Sequence, residues 1–245
     1  MKKLYFLFLS ISVFLTSCQF SENIYINDDG SGKMSLVFDG SELMKMGGDS
    51  TQTSEKAIDS ILVFKEFLKE KMDSIAQLSK EEQESLKSLE NFTMHTKIDP
   101  ESQEMKVDMF TDFKNVEELQ DVMAAMSKAN SLGKEEEDED NPFSSFGNSA
   151  ATEMEYSFKK GVFKRKATIV DKELHQQALD SIGEAEMMFA SSSYVLNYHF
   201  PRPIKSVSNE NALFSADKKS FRLEISFLEY LKNPEVLNLE VKLEK

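Results

Sequence analysis

The chain has 245 residues, a formal net charge of −14 and a single cysteine. With 40% hydrophobic and 29% charged residues it has the composition of a folded protein of one large or two small domains. One cysteine excludes an internal disulfide framework and a metal site built from several cysteines. The acidic balance excludes a general nucleic-acid binder, because such proteins need basic side chains to neutralise phosphates.

The first eighteen residues have the organisation of a bacterial export signal. A short basic start precedes an almost wholly apolar run over residues 4–15. At about twelve residues this run is too short to span a bilayer and has the length of a signal-peptide core. It ends in Leu15-Thr16-Ser17-Cys18, which resembles the lipobox of bacterial lipoproteins. The resemblance implies cleavage between Ser17 and Cys18, a diacylglyceryl group on the Cys18 thiol and an acyl chain on its new amine.

A lipidated Cys18 would be sufficient as the sole membrane anchor. Two or more acyl chains bind a bilayer stably, at about 0.8 kcal/mol per buried CH₂. Cleavage removes 17 residues, including Lys2 and Lys3, and leaves a mature chain of 228 residues with a charge of −16. We expect residues 18–23 to form a lipidated tether, on which a globular domain over residues 24–245 stands off the bilayer, repelled by anionic lipid.

The residue after the cysteine indicates whether a lipoprotein stays in the inner membrane or is sorted to the outer membrane. Gln19 stands where an Asp in lipoproteins of diderm bacteria often means inner-membrane retention, so the sequence resembles an outer-membrane lipoprotein. The expected location is the periplasmic face of the outer membrane, and surface exposure remains an alternative.

Three segments predict antiparallel hairpins, because apolar side chains alternate on both sides of a turn. They lie at residues 24–39, 92–109 and 154–169. The first turn also has oxygen-bearing residues at the spacing of an EF-hand loop. However, Asn27 and Phe38 stand where that loop requires Asp and Glu, so the sequence favours a plain turn.

Apolar residues at helical spacing predict helices between these hairpins. After a short helical turn at 42–46, the helices are expected over residues 55–78, 80–89, 115–129 and 171–189. The order of hairpin and helix recurs three times, without matching residue identities.

An acid-rich stretch at residues 133–150 contains the run Glu135–Asp140 and predicts a mobile, exposed loop. Loose calcium binding, or docking of a basic partner, is the alternative interpretation of this loop.

From Tyr194 to the C-terminus, alternating apolar residues again predict strands. One-sided alternation is typical of sheets with one buried and one exposed face. The predicted fold class is therefore α+β, with antiparallel sheets built from hairpins and amphipathic helices packed on one face.

Two segments resemble the LppM-like lipoprotein domain family. The opening Ile24–Leu36 resembles the first hairpin of that family, and Tyr198–Val207, followed by a turn at Asp217, is similar to its closing segment. The resemblance implies the fold and an envelope location. The family's biochemical role is unknown, so the resemblance implies no catalytic residues.

No recognisable catalytic frame occurs in the sequence. Lipid occupies Cys18, and no Gly-x-Ser-x-Gly motif is present. The only side chains that titrate near neutrality are His95 and His199, expected on exposed strand faces, and His175. Asp171 and His175 have the i, i+4 spacing of a metal-binding pair, although a local surface contact is the plainer interpretation. We therefore expect no catalytic residue, no metal ligand and no cofactor.

The function predicted is that of a non-catalytic binding or scaffolding domain on a lipid anchor, with an envelope protein or a lipid as partner. A carrier of a lipid or other hydrophobic ligand in a cavity between sheet and helices is the alternative, and an envelope hydrolase using unrecognised carboxylates ranks lower. Four methionines could line an adaptable groove for lipid or peptide, or could simply fill the core: Met123, Met126, Met187 and Met188.

Three structural features distinguish these functions. A flat, exposed apolar patch favours a protein partner. A closed apolar pocket above about 300 Å³ favours the carrier. A cleft with converging acids and a perturbed pKa favours the enzyme.

Overall fold

The structure is a computed structural model, and it describes residues 18–47, 56–119, 125, 129, 151–187 and 189–245. Within these ranges the chain has an α+β fold in which antiparallel strand pairing dominates, as predicted. The strands are β1 (Gln19–Ile26), β2 (Gly32–Asp39), β3 (Ile58–Val63), β4 (Thr93–Asp99), β5 (Glu104–Phe113), β6 (Thr152–Lys159), β7 (Val162–Ile169), β8 (Ser193–His199), β9 (Ile204–Val207), β10 (Leu213–Phe214), β11 (Ser220–Ser226) and β12 (Leu239–Leu243).

The helices in the same ranges are short. They are α1 (Ser41–Gly47), α2 (Phe64–Glu70), α3 (Met72–Ile75), α4 (Lys80–Lys87), α5 (Lys172–Ile182) and α6 (Phe227–Lys232). Single 3₁₀ segments lie at Val116–Leu119, Gly183–Met187 and Pro234–Leu237. None of the described helices is long and apolar enough to cross a bilayer.

The strands form an eight-stranded sheet and a four-stranded sheet. The large sheet has the order β10-β11-β8-β1-β2-β5-β4-β3, and the small sheet has the order β6-β7-β12-β9. Strand β1 lies near the centre of the large sheet, antiparallel to β2 and parallel to β8. The N-terminal strand is therefore hydrogen-bonded on both sides, once to its hairpin partner and once to a strand near the C-terminus.

The core lies between the inner face of the large sheet and the small sheet together with the helices. The inner face contributes Ile24 and Leu196, the small sheet Phe163, and helix α4 Leu86, all essentially inaccessible to solvent. The opposite face of the large sheet, which we call the open face, is exposed at side chains from several strands. These include Tyr25, Ile61, Val63 and Phe110.

All three predicted hairpins are confirmed, as β1–β2, β4–β5 and β6–β7. In the first turn, the side chain of Asp29 accepts a hydrogen bond from the backbone of Ser31 at 3.0 Å, and Gly30 has a φ of 84°. This left-handed conformation favours glycine, so the Asp-Gly pair forms the turn between two strands.

The prediction of a long helix over residues 55–78 is wrong. Residues 58–63 form the edge strand β3, paired with β4, and only the short helices α2 and α3 follow. Ile58, Ile61 and Val63 are β-branched and favour extended backbone, and β4 supplies the partner that an extended segment needs. The apolar spacing that matched a helix also fits this strand, where Ile61 is 69% exposed.

The other predicted helices agree with the structure over different fractions of their length. The helix at 80–89 is confirmed as α4, which Ser79 and Glu82 cap through reciprocal hydrogen bonds. The helix at 171–189 ends at Ile182, because Gly183 has a φ of 40° and starts a 3₁₀ segment. The helix at 115–129 starts as a 3₁₀ segment. Between residues 119 and 151 only the buried Ala125 and Ala129 are described, and the acidic loop at 133–150 lies outside the described residues.

Candidate functional site

The predicted lipidation residue, Cys18, is the first residue that the structure describes, and Ser17 lies outside the described part. The carbonyl of Cys18 accepts a hydrogen bond from the backbone N–H of Ser193 at 3.1 Å. Its side chain is buried against Phe38, Met44 and Met105, so α1 and β5 both enclose it. Burial raises the pKa of the Cys18 thiol above its ordinary value, against the opposing effects of the Leu43 backbone and Ser192. A buried neutral thiol is a poor nucleophile.

The predicted tether over residues 18–23 is not formed. Residues 19–23 belong to β1 and keep register with both β2 and β8. Two of these residues point into the core, where the Phe20 ring stacks on Phe227 with centroids 3.9 Å apart and Glu22 is fully buried. The folded domain therefore starts at Gln19 instead of residue 24, because the inward side chains of this segment have partners that lie far along the sequence.

Glu22 is the centre of a buried polar cluster that joins the two sheets. Its Oε2 accepts hydrogen bonds from Arg165 Nη2 at 3.2 Å and from the Tyr194 hydroxyl at 3.0 Å. Its Oε1 accepts from the Tyr156 hydroxyl at 2.8 Å and from the Tyr198 hydroxyl at short range. Glu22, Tyr194 and Tyr198 lie on β1 and β8 of the large sheet, whereas Tyr156 and Arg165 lie on β6 and β7 of the small sheet.

The protonation states of this cluster follow from its contacts. Burial acts to raise the pKa of Glu22, but Arg165 and the tyrosine hydrogen bonds outweigh burial, so the pKa lies below its ordinary value. Burial also raises the pKa values of Tyr156 and Tyr198 well above the ordinary value for tyrosine, and it is the largest cause of both shifts. The cluster is thus a carboxylate, a guanidinium and neutral hydroxyl donors that satisfy each other. Because its charges are paired and enclosed, it connects the sheets and does not present a reactive group to a substrate.

A groove of ≈ 700 Å³ opens at the other end of β1. Its exposed lining is mixed, with the aromatic rings of Tyr25 and Phe110 beside the charged side chains Lys33, Asp112 and Lys114. Lys33 Nζ lies 3.4 Å from an Asp112 carboxylate oxygen. Tyr25 is seven residues beyond Cys18, which places the groove about 23 Å from the lipidation residue along an extended strand.

Exposed apolar side chains continue from this groove across the open face. Tyr25 and Phe110 are 52% and 43% exposed, and Ile61 and Val63 lie on the same face of β3. The strand register places Val63 beside Thr93 and Thr93 beside Phe110, so these side chains form a band across neighbouring strands. An exposed apolar band on a sheet has the character of a protein interaction surface.

The three histidines are not brought together. His95 on β4 pairs with Asp59 through Nε2 and Oδ1 at 2.7 Å, and His199 on β8 stacks on Tyr25. His175 on α5 contacts the Lys232 carbonyl at 3.3 Å. The three histidines thus lie on three different elements. Asp171 caps α5 by accepting from the Leu174 backbone at 2.9 Å, which is the local role that its position at the helix start favours. Among the residues that the structure describes, no three His, Cys, Asp or Glu side chains form a metal site.

Asp108 lies opposite His95 across the β4–β5 pair. Burial raises its pKa, and its Oδ1 has no hydrogen-bond partner in the described ranges. Neither feature creates a cleft of converging acids, because Asp108 lies on the face of a sheet beside the exposed Asp59–His95 pair.

Of the four methionines that could line a groove or fill the core, the structure describes Met187 alone. Met187 is 85% exposed on the segment Gly183–Met187, and Met123, Met126 and Met188 lie outside the described ranges.

Sequence reasoning missed the Glu22 cluster, although one signal was available. Phe20, Ile24 and Ile26 alternate on the inner face of β1, and Glu22 occupies the same parity between them. In β7, Arg165 likewise lies between the inward Phe163 and Ala167. Extending the alternation of the first predicted strand back to Phe20 would have placed Glu22 at an inward position, and opposite charges at inward positions of two strands indicate a buried pair.

Comparisons with known proteins give one structural similarity. No protein-family model and no curated protein matches the chain. The NMR structure of the folded domain of the Mycobacterium tuberculosis LppM protein matches with a TM-score of 0.35 and 10% sequence identity. The match covers 93% of this chain and 89% of that chain. At this TM-score the similarity supports no argument about function.

Proposed function

We propose that the chain is a lipid-anchored lipoprotein of the bacterial cell envelope, whose folded domain binds a partner without catalysing a reaction. The observation that carries this proposal is the position of Cys18. The lipobox cysteine is also the chain's single cysteine, and the folded domain starts at the next residue. Lipid on Cys18 thus attaches the domain to a membrane, in our proposal at the periplasmic face of the outer membrane.

The open face supports a protein as the partner of this domain. Its exposed apolar band and the adjoining groove are accessible from solvent, which is what a docking surface requires. A carrier of a hydrophobic ligand requires an enclosed apolar cavity, whereas the ≈ 700 Å³ groove is open and includes lysine and aspartate side chains. A binding or scaffolding role is therefore favoured over lipid transport.

Metabolic labelling with a palmitate analogue tests the anchor. We expect the full chain, expressed in a bacterium, to incorporate the label, and the Cys18→Ser variant to incorporate none. Intact-mass measurement gives the expected product as a chain that begins at Cys18 and carries acyl groups. Equal labelling of the two proteins would refute the proposal.

Membrane fractionation and protease treatment of intact cells test the location. Recovery with the outer membrane, together with resistance to protease added outside intact cells, supports the periplasmic face. Degradation by external protease would instead place the domain on the cell surface and overturn that part of the proposal.

A further inference from the structure

We infer that the domain rests directly on the bilayer with the end that carries Cys18, and that the groove faces away from the membrane. This inference rests on the proposed lipidation of Cys18. It reverses the expectation, drawn from the sequence, that the domain stands off the membrane on a tether.

No flexible segment separates the lipidation residue Cys18 from the first strand. A flexible segment over residues 18–23 would allow a separation of roughly 20 Å. Instead, the Cys18 carbonyl is hydrogen-bonded to Ser193, and Gln19 already pairs with Asp39 and Ser193. The backbone at Cys18 is therefore fixed on the rim of the large sheet. A lipid on the Cys18 sulfur, which α1 and β5 enclose, has to leave between these two elements, so that rim must lie at the depth of the lipid headgroups.

Three elements surround Cys18 at this end of the large sheet. We define the anchor end as α1 (Ser41–Gly47), the turn at residues 100–103 between β4 and β5, and residues 189–192. Leu43 and Met44 of α1 pack into the same cluster as Cys18, and Met105 of β5 packs there directly after the turn. These elements are the first to meet a bilayer that holds acyl chains attached to Cys18.

Ion pairs reduce the negative charge at the anchor end. The mature chain carries −16, which would repel anionic lipid if the acids were unpaired everywhere. At this end Lys45 Nζ lies 2.6 Å from Glu42, and Lys97 and Lys106 both contact Glu104, at 2.6 and 2.9 Å. Lysines thus neutralise Glu42 and Glu104, which lowers the electrostatic cost of contact at these two acids, whereas Glu101 in the turn stays exposed.

An exposed apolar side chain near the anchor end fits the same orientation. Met187 precedes Phe189, whose ring lies 6.4 Å from that of Phe20, the second residue after Cys18. A side chain that is 85% exposed and apolar gains free energy when it enters the membrane interface.

The orientation also fixes where the groove lies. Strand β1 extends for about 26 Å from Cys18 to Ile26, so the turn that follows Ile26 lies at the far end of the domain. Tyr25 and Lys33 flank this turn and line the groove. The lipidated domain would therefore present its groove to partners on the side opposite the membrane.

Site-specific fluorescence quenching tests the inference on the full, lipidated chain. Because lipid occupies the native cysteine, each introduced cysteine carries the only reactive thiol. Two matched pairs compare the ends: Lys45→Cys with Lys33→Cys, and Glu101→Cys with Asp28→Cys. All four side chains are exposed, so labelling leaves the core intact, and the second pair keeps the test valid if one variant of the first fails to fold.

The labelled proteins are reconstituted in vesicles of phosphatidylethanolamine and phosphatidylglycerol that contain a lipid with a nitroxide on its headgroup. We expect quenching several-fold stronger at positions 45 and 101 than at positions 33 and 28. Equal quenching at both ends of a lipidated protein, or stronger quenching at 33 and 28, overturns the orientation alone. An intact mass that shows no lipid overturns the proposed function and the orientation with it.

Discussion

Glu22 and Arg165 form an ion pair inside the core, with Arg165 Nη2 3.2 Å from Glu22 Oε2 and both side chains at most 1% exposed. The pair joins β1 of the large sheet to β7 of the small sheet. Glu22 lies four residues after Cys18, the proposed lipidation site. Arg165 also donates to the Leu237 carbonyl at 3.2 Å, so the guanidinium is held on two sides. The N-terminal strand is therefore fixed by charge as well as by its backbone pairing.

Replacing Glu22 with Gln is expected to lower the free energy of unfolding by about 3–5 kcal/mol, because Arg165 stays buried without its counter-charge. Chemical denaturation followed by circular dichroism measures the change. The matched control is Glu224→Gln, which removes the exposed pair with Arg222 (2.8 Å) and is expected to cost less than about 1 kcal/mol. A similar small loss for both variants would contradict a buried, uncompensated arginine.

The stabilisation by Glu22 is expected to depend on pH in the acid range. The pKa of Glu22 in the folded protein lies below its ordinary value of 4.5, because Arg165 and the tyrosine hydroxyls outweigh the effect of burial. The stabilisation is therefore complete above about pH 4.5 and is lost as the pH falls through the lower pKa of the folded state.

Unfolding free energies of the unmodified chain and of Glu22→Gln, measured from neutral pH down to the acid limit of folding, test this dependence. The difference between them should be constant above about pH 4.5 and should shrink below it. Other carboxylates contribute equally to both proteins and cancel. A difference that stays constant throughout the acid range would show that the Glu22 carboxylate is not preferentially stabilised.

Ile61→Lys is expected to change the free energy of unfolding by no more than about 0.5 kcal/mol, because Ile61 is 69% exposed on the edge strand β3. The same change on the buried face of a helix would introduce an unpaired charge into the core. Leu86→Ala, at a buried position of α4, is the comparison and is expected to cost about 2–5 kcal/mol. Equal costs for the two variants would favour the helix that the sequence predicts over residues 55–78.

Elements that depend on residues close together in the sequence were predicted correctly, and elements that depend on residues far apart in the sequence were not. Local signals were sufficient for the hairpins, since the Asp29-Gly30 turn and the flanking alternation lie within a few residues of each other. Local signals were insufficient for residues 58–63, because the spacing of the apolar residues there is compatible with a helix and also with a strand. The choice between the two depends on β4, whose paired residues lie 30 to 40 positions further along the chain.

The start of the domain was predicted incorrectly for the same reason. Gln19, Ser21 and Asn23 are polar because they lie on the open face, and a polar segment after a lipidated cysteine resembles a tether. Its pairing with β8 joins residues about 170 positions apart, which no local pattern encodes. The anchor residue was predictable because a short motif defines it, whereas the groove joins Tyr25 to Phe110 only through the strand order.

The proposed docking surface predicts that Phe110→Ser weakens partner binding without destabilising the fold. Phe110 is 43% exposed and contributes an aromatic ring to both the groove and the apolar band, and such rings often dominate binding energy. Leu213→Ser on the edge strand β10 is the matched control, because it removes an exposed apolar side chain that does not line the groove. Crosslinking of the lipidated proteins in native membranes, with identification by mass spectrometry, compares the variants. Proteins that crosslink to the unmodified chain and to Leu213→Ser should be lost from Phe110→Ser, and equal recovery from all three would exclude the groove as the docking surface.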